Sequence, residues 1–130
     1  MVFSRILGIT IVGSMSLLKE YEKLKKELEK KGHKVILPRP NEVFNKGEAT
    51  KTKAMREFNK NLEKSDAILV ANYDKNNEVC YIGVNSIMGI GMAFNRNKKI
   101  FILNSIPEKC RDELEAVNCI VLDGDLNNIS

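Results

Sequence analysis

Short, nearly continuous apolar runs alternate along the chain with longer segments whose apolar residues recur every three or four positions. The short runs predict five strands, at residues 5–12, 33–37, 66–72, 100–103 and 119–122, and the longer segments predict four helices, at residues 16–31, 50–64, 85–94 and 107–117. Continuous apolar runs are typical of strands that are covered on both faces. The alternation of strand and helix therefore predicts a single-domain, three-layer α/β fold of the Rossmann or flavodoxin-like type, with a five-stranded parallel sheet and helices on both faces.

Two of the predicted helices have a clear apolar stripe on one face. The stripes are Leu17, Tyr21, Leu24 and Leu28 in the helix at 16–31, and Met55, Phe58 and Leu62 in the helix at 50–64. These side chains are expected to face the sheet, and the lysines and glutamates between them are expected to face water.

The predicted helix at 85–94 is less regular. Asn85 and Ser86 are expected to start it, because their side chains can accept hydrogen bonds from unpaired backbone N–H groups. Ile87, Ile90 and Phe94 recur at helical spacing and are expected to face the core. Gly89 and Gly91 interrupt the helix, and each glycine costs about 1 kcal/mol relative to alanine. A helix that is not optimised for stability suggests a role other than packing.

Composition narrows the class of protein. The chain has 130 residues, of which 43% are apolar and 29% charged, which fits one globular domain spanning residues 1–130. The net charge of +4 comes from dispersed lysines, so a nucleic acid polymer is not an expected partner. The apolar run near the start is too short to span a membrane and lacks the layout of a signal peptide, so we expect a cytoplasmic protein without membrane association. The polar tail after Asp125 is expected to fray.

The cysteines and the single histidine do not indicate a metal site or a cofactor. Cys80, Cys110 and Cys119 are odd in number and show no CxxC spacing, so neither a disulfide framework nor a zinc site is predicted. His33 starts the second strand, at the end opposite the expected site, and is interpreted as a packing histidine.

Ligands of parallel α/β sheets bind at the carboxyl ends of the strands, near the point where the strand order reverses. Gly13 and Ser14 follow the first strand, where they can form a tight turn with a helix cap, a backbone cradle for phosphate or sugar, or both. The chain has neither GxGxxG nor GxxxxGK[ST], so no dinucleotide fingerprint or Walker loop is present. The loop at residues 73–83 follows the third strand and is expected at the same edge.

Several segments in order along the chain resemble one family. They are GSM at residues 13–15, GHKVILP at 32–38, KSDAILVANYD at 64–74, YIGVNSIMGIGMAF at 81–94 and KKIFILNSIPE at 98–108. Together they are similar to the nucleoside 2-deoxyribosyltransferase family, which includes small nucleotide N-hydrolases. The likeness spans nearly the whole chain.

The resemblance implies cleavage of the N-glycosidic bond of a nucleoside or deoxynucleoside monophosphate, without a cofactor. In the family a glutamate attacks the anomeric carbon and forms a glycosyl-enzyme, which is retaining glycoside chemistry. The resemblance also implies a homodimer or larger homo-oligomer. The substrate-binding residues it implies are Gly13, Ser14, Met15, Asn72, Tyr73, Asp74, Gly83, Asn85 and Ser86.

The chain departs from the family at two catalytic positions. Gly89 stands where the family has its nucleophilic glutamate, and glycine cannot form the covalent intermediate. Asn59 stands near the position of a family aspartate, with Glu57 two residues away as an alternative match. Glu78 and Asp74 are the remaining carboxylates of the central loop and are interpreted as ordinary polar loop residues.

Two hypotheses follow. The first is a deoxyribosyltransferase-like or nucleotide N-glycosidase enzyme that is weak or disabled, and the second is a non-catalytic nucleotide-binding or sensing module with the same fold. Gly91, by contrast, matches the family, where a small residue is expected to allow close packing against the neighbouring strand.

Overall fold

A computed structural model describes residues 6–38 and 50–130 of the chain. The predicted first residue of the strand at 5–12 lies outside these ranges. Within them, no helix is long and apolar enough to cross a membrane.

The centre of the fold is one five-stranded sheet in which every pairing is parallel. Its strands are β1 (Gly8–Val12), β2 (Lys34–Ile36), β3 (Ala67–Val70), β4 (Lys99–Ile102) and β5 (Ile120–Val121). They lie in the order β2-β1-β3-β4-β5, which is the flavodoxin-like order. The predicted fold class is confirmed, and the strands are shorter than their apolar runs because the flanking residues belong to loops.

Four helices connect the strands, as predicted. They are α1 (Leu18–Lys30), α2 (Thr50–Glu63), α3 (Val84–Asn95) and α4 (Arg111–Ala116). Short 3₁₀ turns at Met15–Leu17 and Glu108–Cys110 precede α1 and α4. The first turns of the helices predicted at 16–31 and 107–117 are therefore present, but they are 3₁₀ turns, which are wound more tightly than an α-helix.

The start of α3 differs from the prediction. Gly83, not Asn85 or Ser86, is the N-terminal capping residue, with extended backbone angles and no side-chain cap. The Ile87 N–H donates to the Gly83 carbonyl at 3.1 Å, so the helix begins before Asn85. Glycine is an acceptable residue at this position because it adopts the extended conformation at little cost. Asn85 and Ser86 lie instead in the first turn.

The sheet separates two apolar cores. On the face that we call the α1 face, Tyr21, Leu24 and Leu28 of α1 pack over side chains of β1, β3 and β4, which include Ile9, Ile11, Leu69 and Phe101. On the opposite face, which we call the α2/α3 face, α2, α3 and α4 contribute Leu62, Ile90, Ala93 and Leu114 beside Ile68, Val70, Ile100 and Ile102. The alternation of side chains along each strand supplies both cores.

The end of the chain is ordered against the α1 face, so the predicted fraying is wrong. Residues Leu126–Asn128 form a 3₁₀ turn, and the Asp125 side chain accepts a hydrogen bond from the Asn127 N–H. Leu126 and Ile129 are 7% and 4% exposed and belong to the α1-face core. Two apolar residues three positions apart are enough to anchor a short, otherwise polar segment.

Three predictions about packing, at two apolar side chains and one glycine, also need correction. Phe94 is 48% exposed and Met55 is 39% exposed, although Ile90 and Leu62 on the same helices are buried. A Cβ atom built at Gly91 would meet no atom within 4 Å, so Gly91 does not permit a close approach to a strand. It lies on the exposed side of α3, where the helix turns away from the sheet.

His33 is a packing residue, as interpreted. It is buried, and its Nδ1 accepts a hydrogen bond from the Leu7 N–H at 3.0 Å. Burial, and secondarily the charge of Lys31, lowers the pKa of His33. The neutral imidazole thus helps to hold the chain entering β1.

Candidate functional site

The strand order reverses between β1 and β3, so their carboxyl ends define the switch point of the sheet. Val12 and Val70 are paired there, and the Ala71 N–H donates to the Val12 carbonyl at 2.9 Å. The loop after β1 leads to one face of the sheet, and the loop after β3 leads to the other. A crevice between two diverging loops is the usual ligand position in such sheets.

A cavity of about 180 Å³ opens beside this point on the α2/α3 face, and we call it the α2/α3 cavity. Its apolar walls come from β1, α2 and α3 and include Val12, Met15, Met55, Phe58, Met88 and Met92. Its polar lining residues are Thr10, Lys51, Glu57, Asn61 and Asn85, and Gly13 and Gly89 complete it. A space of this size, smaller than a typical pocket for a whole drug-sized ligand, suits one ring of a ligand whose remainder lies outside.

Gly89 lies in the wall of this cavity, directly opposite Phe58. A Cβ atom at position 89 would approach two atoms of the Phe58 ring at 3.2 Å. That distance is below ordinary van der Waals contact, so any side chain at position 89 requires Phe58 to move. The position to which the resemblance assigns a nucleophile therefore has no carboxylate, and a side chain there would need Phe58 to shift by a few tenths of an ångström.

Glu57, and not Asn59, provides a carboxylate among the lining residues of the cavity. Both residues are on α2, and the helical turn directs them to different sides. Of the two alternatives weighed for the second catalytic position, only Glu57 lines the same space as Gly89.

Gly13 is required by the packing of α1. A Cβ atom at Gly13 would lie 2.2 Å from the Tyr21 hydroxyl oxygen, which is an impossible contact. The Tyr21 hydroxyl is buried and has no hydrogen-bond partner among the residues that the structure describes. Burial, and secondarily Tyr73, raises the pKa of Tyr21, so this phenol stays neutral. Gly13 is thus part of a tight turn over a buried aromatic ring.

Ser14 links the loops that follow β1 and β3. Its hydroxyl accepts a hydrogen bond from the Lys75 ammonium and lies 3.1 Å from the Ser16 hydroxyl. The Lys75 Nζ also lies 5.4 Å from the centre of the Tyr81 ring, within the range of a cation–π interaction. Lys109 approaches the same ring at 5.5 Å, and its Nζ pairs with the Glu78 carboxylate at 2.8 Å.

A second, polar cavity lies farther along the same edge. It is lined by Tyr73, Asp74, Cys80, Asn104, Ser105 and Asp123. The Asp74 carboxylate accepts a hydrogen bond from the Cys80 N–H at 2.8 Å, which stabilises the positive φ of 54° at Cys80. Burial, followed by the charges of Glu20 and Glu27, raises the pKa of Tyr73 to about 12. Asp74 and Glu78 both have structural contacts, in keeping with their interpretation as polar loop residues.

Asn72 holds the ends of β3 and β4 together. Its amide group donates to the Ser105 carbonyl at 2.9 Å, and its Oδ1 accepts from the Asn104 N–H at 2.8 Å. Asn72 is 1% exposed. Its side chain is therefore occupied within the protein and would reach a ligand only if these bonds broke.

The predicted site residues fall into three groups. Gly13, Met15, Asn85 and Gly89 line the α2/α3 cavity, Tyr73 and Asp74 line the polar cavity, and Ser14, Asn72, Gly83, Ser86 and Asn59 line neither. Gly83 packs against Tyr81, since a Cβ atom there would lie 3.0 Å from the Tyr81 hydroxyl. Ser86 is buried at the start of α3.

Two features of the site were not predicted from the sequence: the contact of Lys75 with Ser14, and most of the α2 residues that line the α2/α3 cavity. The signal for α2 was present, since Met55 and Phe58 belong to its predicted apolar stripe and Lys51 and Asn61 lie along the same side. Lys75 has no such signal, because one lysine in a polar loop is indistinguishable from its neighbours before the fold brings it to Ser14.

No protein-family model matches this chain, and no curated protein matches it at a significant level. The resemblance to nucleoside 2-deoxyribosyltransferases therefore stays a prediction from the sequence.

Proposed function

We propose that this protein binds nucleosides or deoxynucleotides in the manner of the nucleoside 2-deoxyribosyltransferases and nucleotide N-hydrolases that its sequence resembles. The observation that carries the proposal is the convergence of Gly13, Met15, Asn85 and Gly89 on one cavity at the switch point. These residues come from two separate motifs of the resemblance, and their proximity is not a consequence of sequence spacing. An apolar slot bounded by methionines and Phe58 suits a flat nucleobase, which can leave its sugar in the polar crevice.

Catalysis by the family's covalent route is not available to this chain. A retaining mechanism needs a carboxylate beside the anomeric carbon, and the glycine at position 89 does not supply one. Glu57 is the carboxylate on which slow hydrolysis would depend, as a base for an attacking water. We accordingly propose a binding protein with weak or no turnover.

The test measures binding and base release separately. Melting temperatures are recorded with a panel of deoxynucleosides and their 5′-monophosphates, and chromatography detects free base after long incubation. We expect at least one ligand to raise the melting temperature and the unmodified protein to release little or no base. If no member of the panel shifts the melting temperature, the proposed function is wrong.

A designed variant tests the interpretation of position 89. Gly89→Glu is combined with Phe58→Leu, which makes room for the carboxylate, and Phe58→Leu alone is the control. We expect base release from the double variant and none from the control. Turnover by the unmodified protein at ordinary enzyme rates, about 1 per second or faster, would show that position 89 is not the determinant.

The alternative is a non-catalytic sensing module. The observation that favours it is that the apolar ring of Phe58 lies 3.2 Å from where a Cβ atom at position 89 would stand, so an apolar wall faces this position. A double variant that binds ligand but releases no base would support it. The resemblance further suggests a homo-oligomer, and we propose that it is cytoplasmic. Light scattering on the purified protein would test the oligomeric state.

A further inference from the structure

A short series of hydrogen bonds runs behind one wall of the α2/α3 cavity. The Ser65 hydroxyl donates to the Asn61 carbonyl at 2.8 Å, and Thr10 Oγ1 lies 2.7 Å from the same Ser65 oxygen. Thr10 and Asn61 are lining residues of the cavity, whereas Ser65 is not. The series therefore connects the wall of the cavity to a hydroxyl group that a ligand does not reach.

The Asn61 carbonyl fixes the direction of both bonds. A carbonyl oxygen only accepts, so the single proton of the Ser65 hydroxyl is used in the bond to Asn61. The Ser65 oxygen then accepts from Thr10, whose own proton is directed at Ser65 and not into the cavity. Thr10 and Ser65 are 1% and 4% exposed, so bulk water offers neither hydroxyl another partner. Thr10 Oγ1 thus presents lone pairs to the cavity and no proton.

The neighbouring polar groups on α2 do not reverse this preference for a donor. Glu57, one helical turn before Asn61, lines the cavity with a carboxylate, and an ionised carboxylate only accepts. The side-chain amide of Asn61 has both a donor and an acceptor, so it can pair with either kind of ligand group. A ligand group that donates a hydrogen bond is therefore matched at this wall, and a carbonyl oxygen is not.

Thr10 lies at the inner end of the cavity. It is two residues before Val12 in β1, which is about 7 Å farther from the carboxyl edge of the sheet, where Gly13 follows the strand. A flat ring that enters from the crevice, with its sugar outside, meets Thr10 with its far edge. Nucleobases differ at that edge, because adenine and cytosine carry an amino group where other bases carry an oxygen.

We propose that Thr10, held by Ser65 as a hydrogen-bond acceptor, selects nucleobases with an exocyclic amino group over those with an oxygen at the same position. The inference rests on the proposed function for the binding of a nucleoside in this cavity. The amino group donates to Thr10 Oγ1, whereas an oxygen there would bring two acceptors together with no proton between them. Thr10 contacts the base, and Ser65 is a positioning residue that acts through Thr10.

The first experiment compares matched nucleosides by calorimetry. The pairs are deoxyadenosine with deoxyinosine and deoxycytidine with deoxyuridine, in which an oxygen replaces the amino group. We expect the amino member of each pair to bind at least about tenfold more tightly, since buried polar groups left unpaired cost that much. Equal affinities, or a preference for the oxygen-bearing member, would overturn the inference and leave the proposed function intact.

Two variants of Thr10 test its contact with the base. Thr10→Val keeps the branched shape and removes the acceptor, so the affinities within each pair should come to within about twofold of each other. Thr10→Ser keeps the hydroxyl bonded to Ser65 and should retain the preference. If Thr10→Val keeps the full preference, or if Thr10→Ser loses it as Thr10→Val does, the Thr10 hydroxyl does not select the base.

Ser65→Ala tests the positioning role. It leaves the Thr10 proton without its partner, so the hydroxyl can turn and donate to a carbonyl oxygen in the cavity. We expect deoxyinosine to bind more tightly to this variant than to the unmodified protein, and the preference for deoxyadenosine to shrink. A purely structural role of Ser65 would change both affinities alike, and that result would overturn the assignment. The Thr10 variants decide the preference by themselves if Ser65→Ala does not fold.

A second measurement separates the acceptor at Thr10 from nucleoside binding. An aminopyrimidine and the pyrimidinone with oxygen in place of its amino group are titrated into the unmodified protein while amide resonances are followed by NMR. We expect saturable shifts at Thr10 and Asn61 with the aminopyrimidine only. If no nucleoside binds, these sugar-free rings decide: selective shifts would reject the proposed function and retain the preference at Thr10, and equal or absent shifts would reject both.

Discussion

Among the residues that the structure describes, the two faces of the sheet are packed to different degrees. On the α1 face, Tyr21, Leu28 and Leu126 are all 7% exposed or less, and the C-terminal turn covers what α1 leaves open. On the α2/α3 face, a cavity of about 180 Å³ remains between the helices and β1, with Met55 and Met88 about 40% exposed at its walls. Close packing is the usual state of a protein interior, so the open face is the exception that needs an explanation.

The helices of the two faces show the same difference. α1 carries charged residues along its outer side and three buried apolar residues on the other, whereas α3 has no acidic or basic residue and contains two glycines. Gly89 preserves the cavity, because a larger residue would push against Phe58. The glycine at position 89 makes α3 less stable at the place where the cavity lies, as is common at functional sites.

Truncation of one apolar residue on each face, buried on the α1 face and exposed at the cavity, gives the largest expected difference. Leu28→Ala on the α1 face should lower the free energy of unfolding by about 2–5 kcal/mol, because it leaves a void in a filled core. Met88→Ala at the cavity should cost less than about 1 kcal/mol, because its side chain is already 41% exposed. Chemical denaturation measures both. Equal losses would show that the two faces are packed alike.

The contact of Gly13 with Tyr21 links the closed face to the site. Gly13→Ala should cost about 1–3 kcal/mol, because the new Cβ meets a buried phenol. Tyr21→Phe should be nearly neutral, since the hydroxyl it removes is unpartnered.

The double variant is the control for that prediction. Removing the hydroxyl should recover part of the loss caused by Gly13→Ala, with a coupling free energy of at least about 0.5 kcal/mol. Additive effects would mean that the turn tolerates a side chain by moving away from Tyr21.

The two glycines of α3 should respond differently to alanine. Gly91→Ala should stabilise the protein by about 1 kcal/mol, because its Cβ meets nothing and helix propensity improves. Gly89→Ala should gain less or destabilise, and it should weaken ligand binding, because the methyl group crowds Phe58 and the cavity. Thermal melts and calorimetric titrations distinguish the two. Identical behaviour would remove the special role assigned to Gly89.

The smallest expected effect is a pH dependence on the α1 face. The folded protein lowers the pKa of His33, so the unfolded chain binds a proton first as the pH falls. Stability should therefore be complete above the ordinary histidine pKa of about 6.5 and should decline below it, as protonation breaks the bond from Leu7. Melting temperatures between pH 8 and pH 5 measure this decline. His33→Gln should flatten the profile in this range.

The architecture was predictable because it depends on repeated local patterns. The alternation of five apolar runs with four helical segments predicted the layers, and the rule that parallel strands are joined by crossover helices predicted the parallel sheet. The C-terminal turn was missed because Leu126 and Ile129 are only two apolar residues in a polar segment, too few for any periodicity. Their burial depends on the space that α1 leaves beside β5.

The candidate site was predictable only in part, for a different reason. Gly13 follows a strand and Asn85 lies in the first turn of a helix at the expected edge, so the fold rule locates them, whereas Gly89 was indicated by the family resemblance. The contact of Lys75 with Ser14 depends on how one loop folds back across the switch point, through the Asp74 hydrogen bond to Cys80 and the left-handed turn at Asn76 and Asn77. Such turns are set by tertiary contacts that no short pattern encodes.

The ordered C-terminal segment has a practical consequence for every binding experiment described above. After β5 the chain turns back, and the Ser130 carbonyl accepts a hydrogen bond from the ammonium of Lys99, the first residue of β4. Lys99 lies at the amino-terminal ends of the strands, opposite the crevice. Leu7, which directly precedes β1, lies at the same end of the strands. A surface tether or fluorescent label joined after Ser130 would thus leave the crevice facing solution. The same attachment could strain the α1-face core if its linker were too short to clear Ile129.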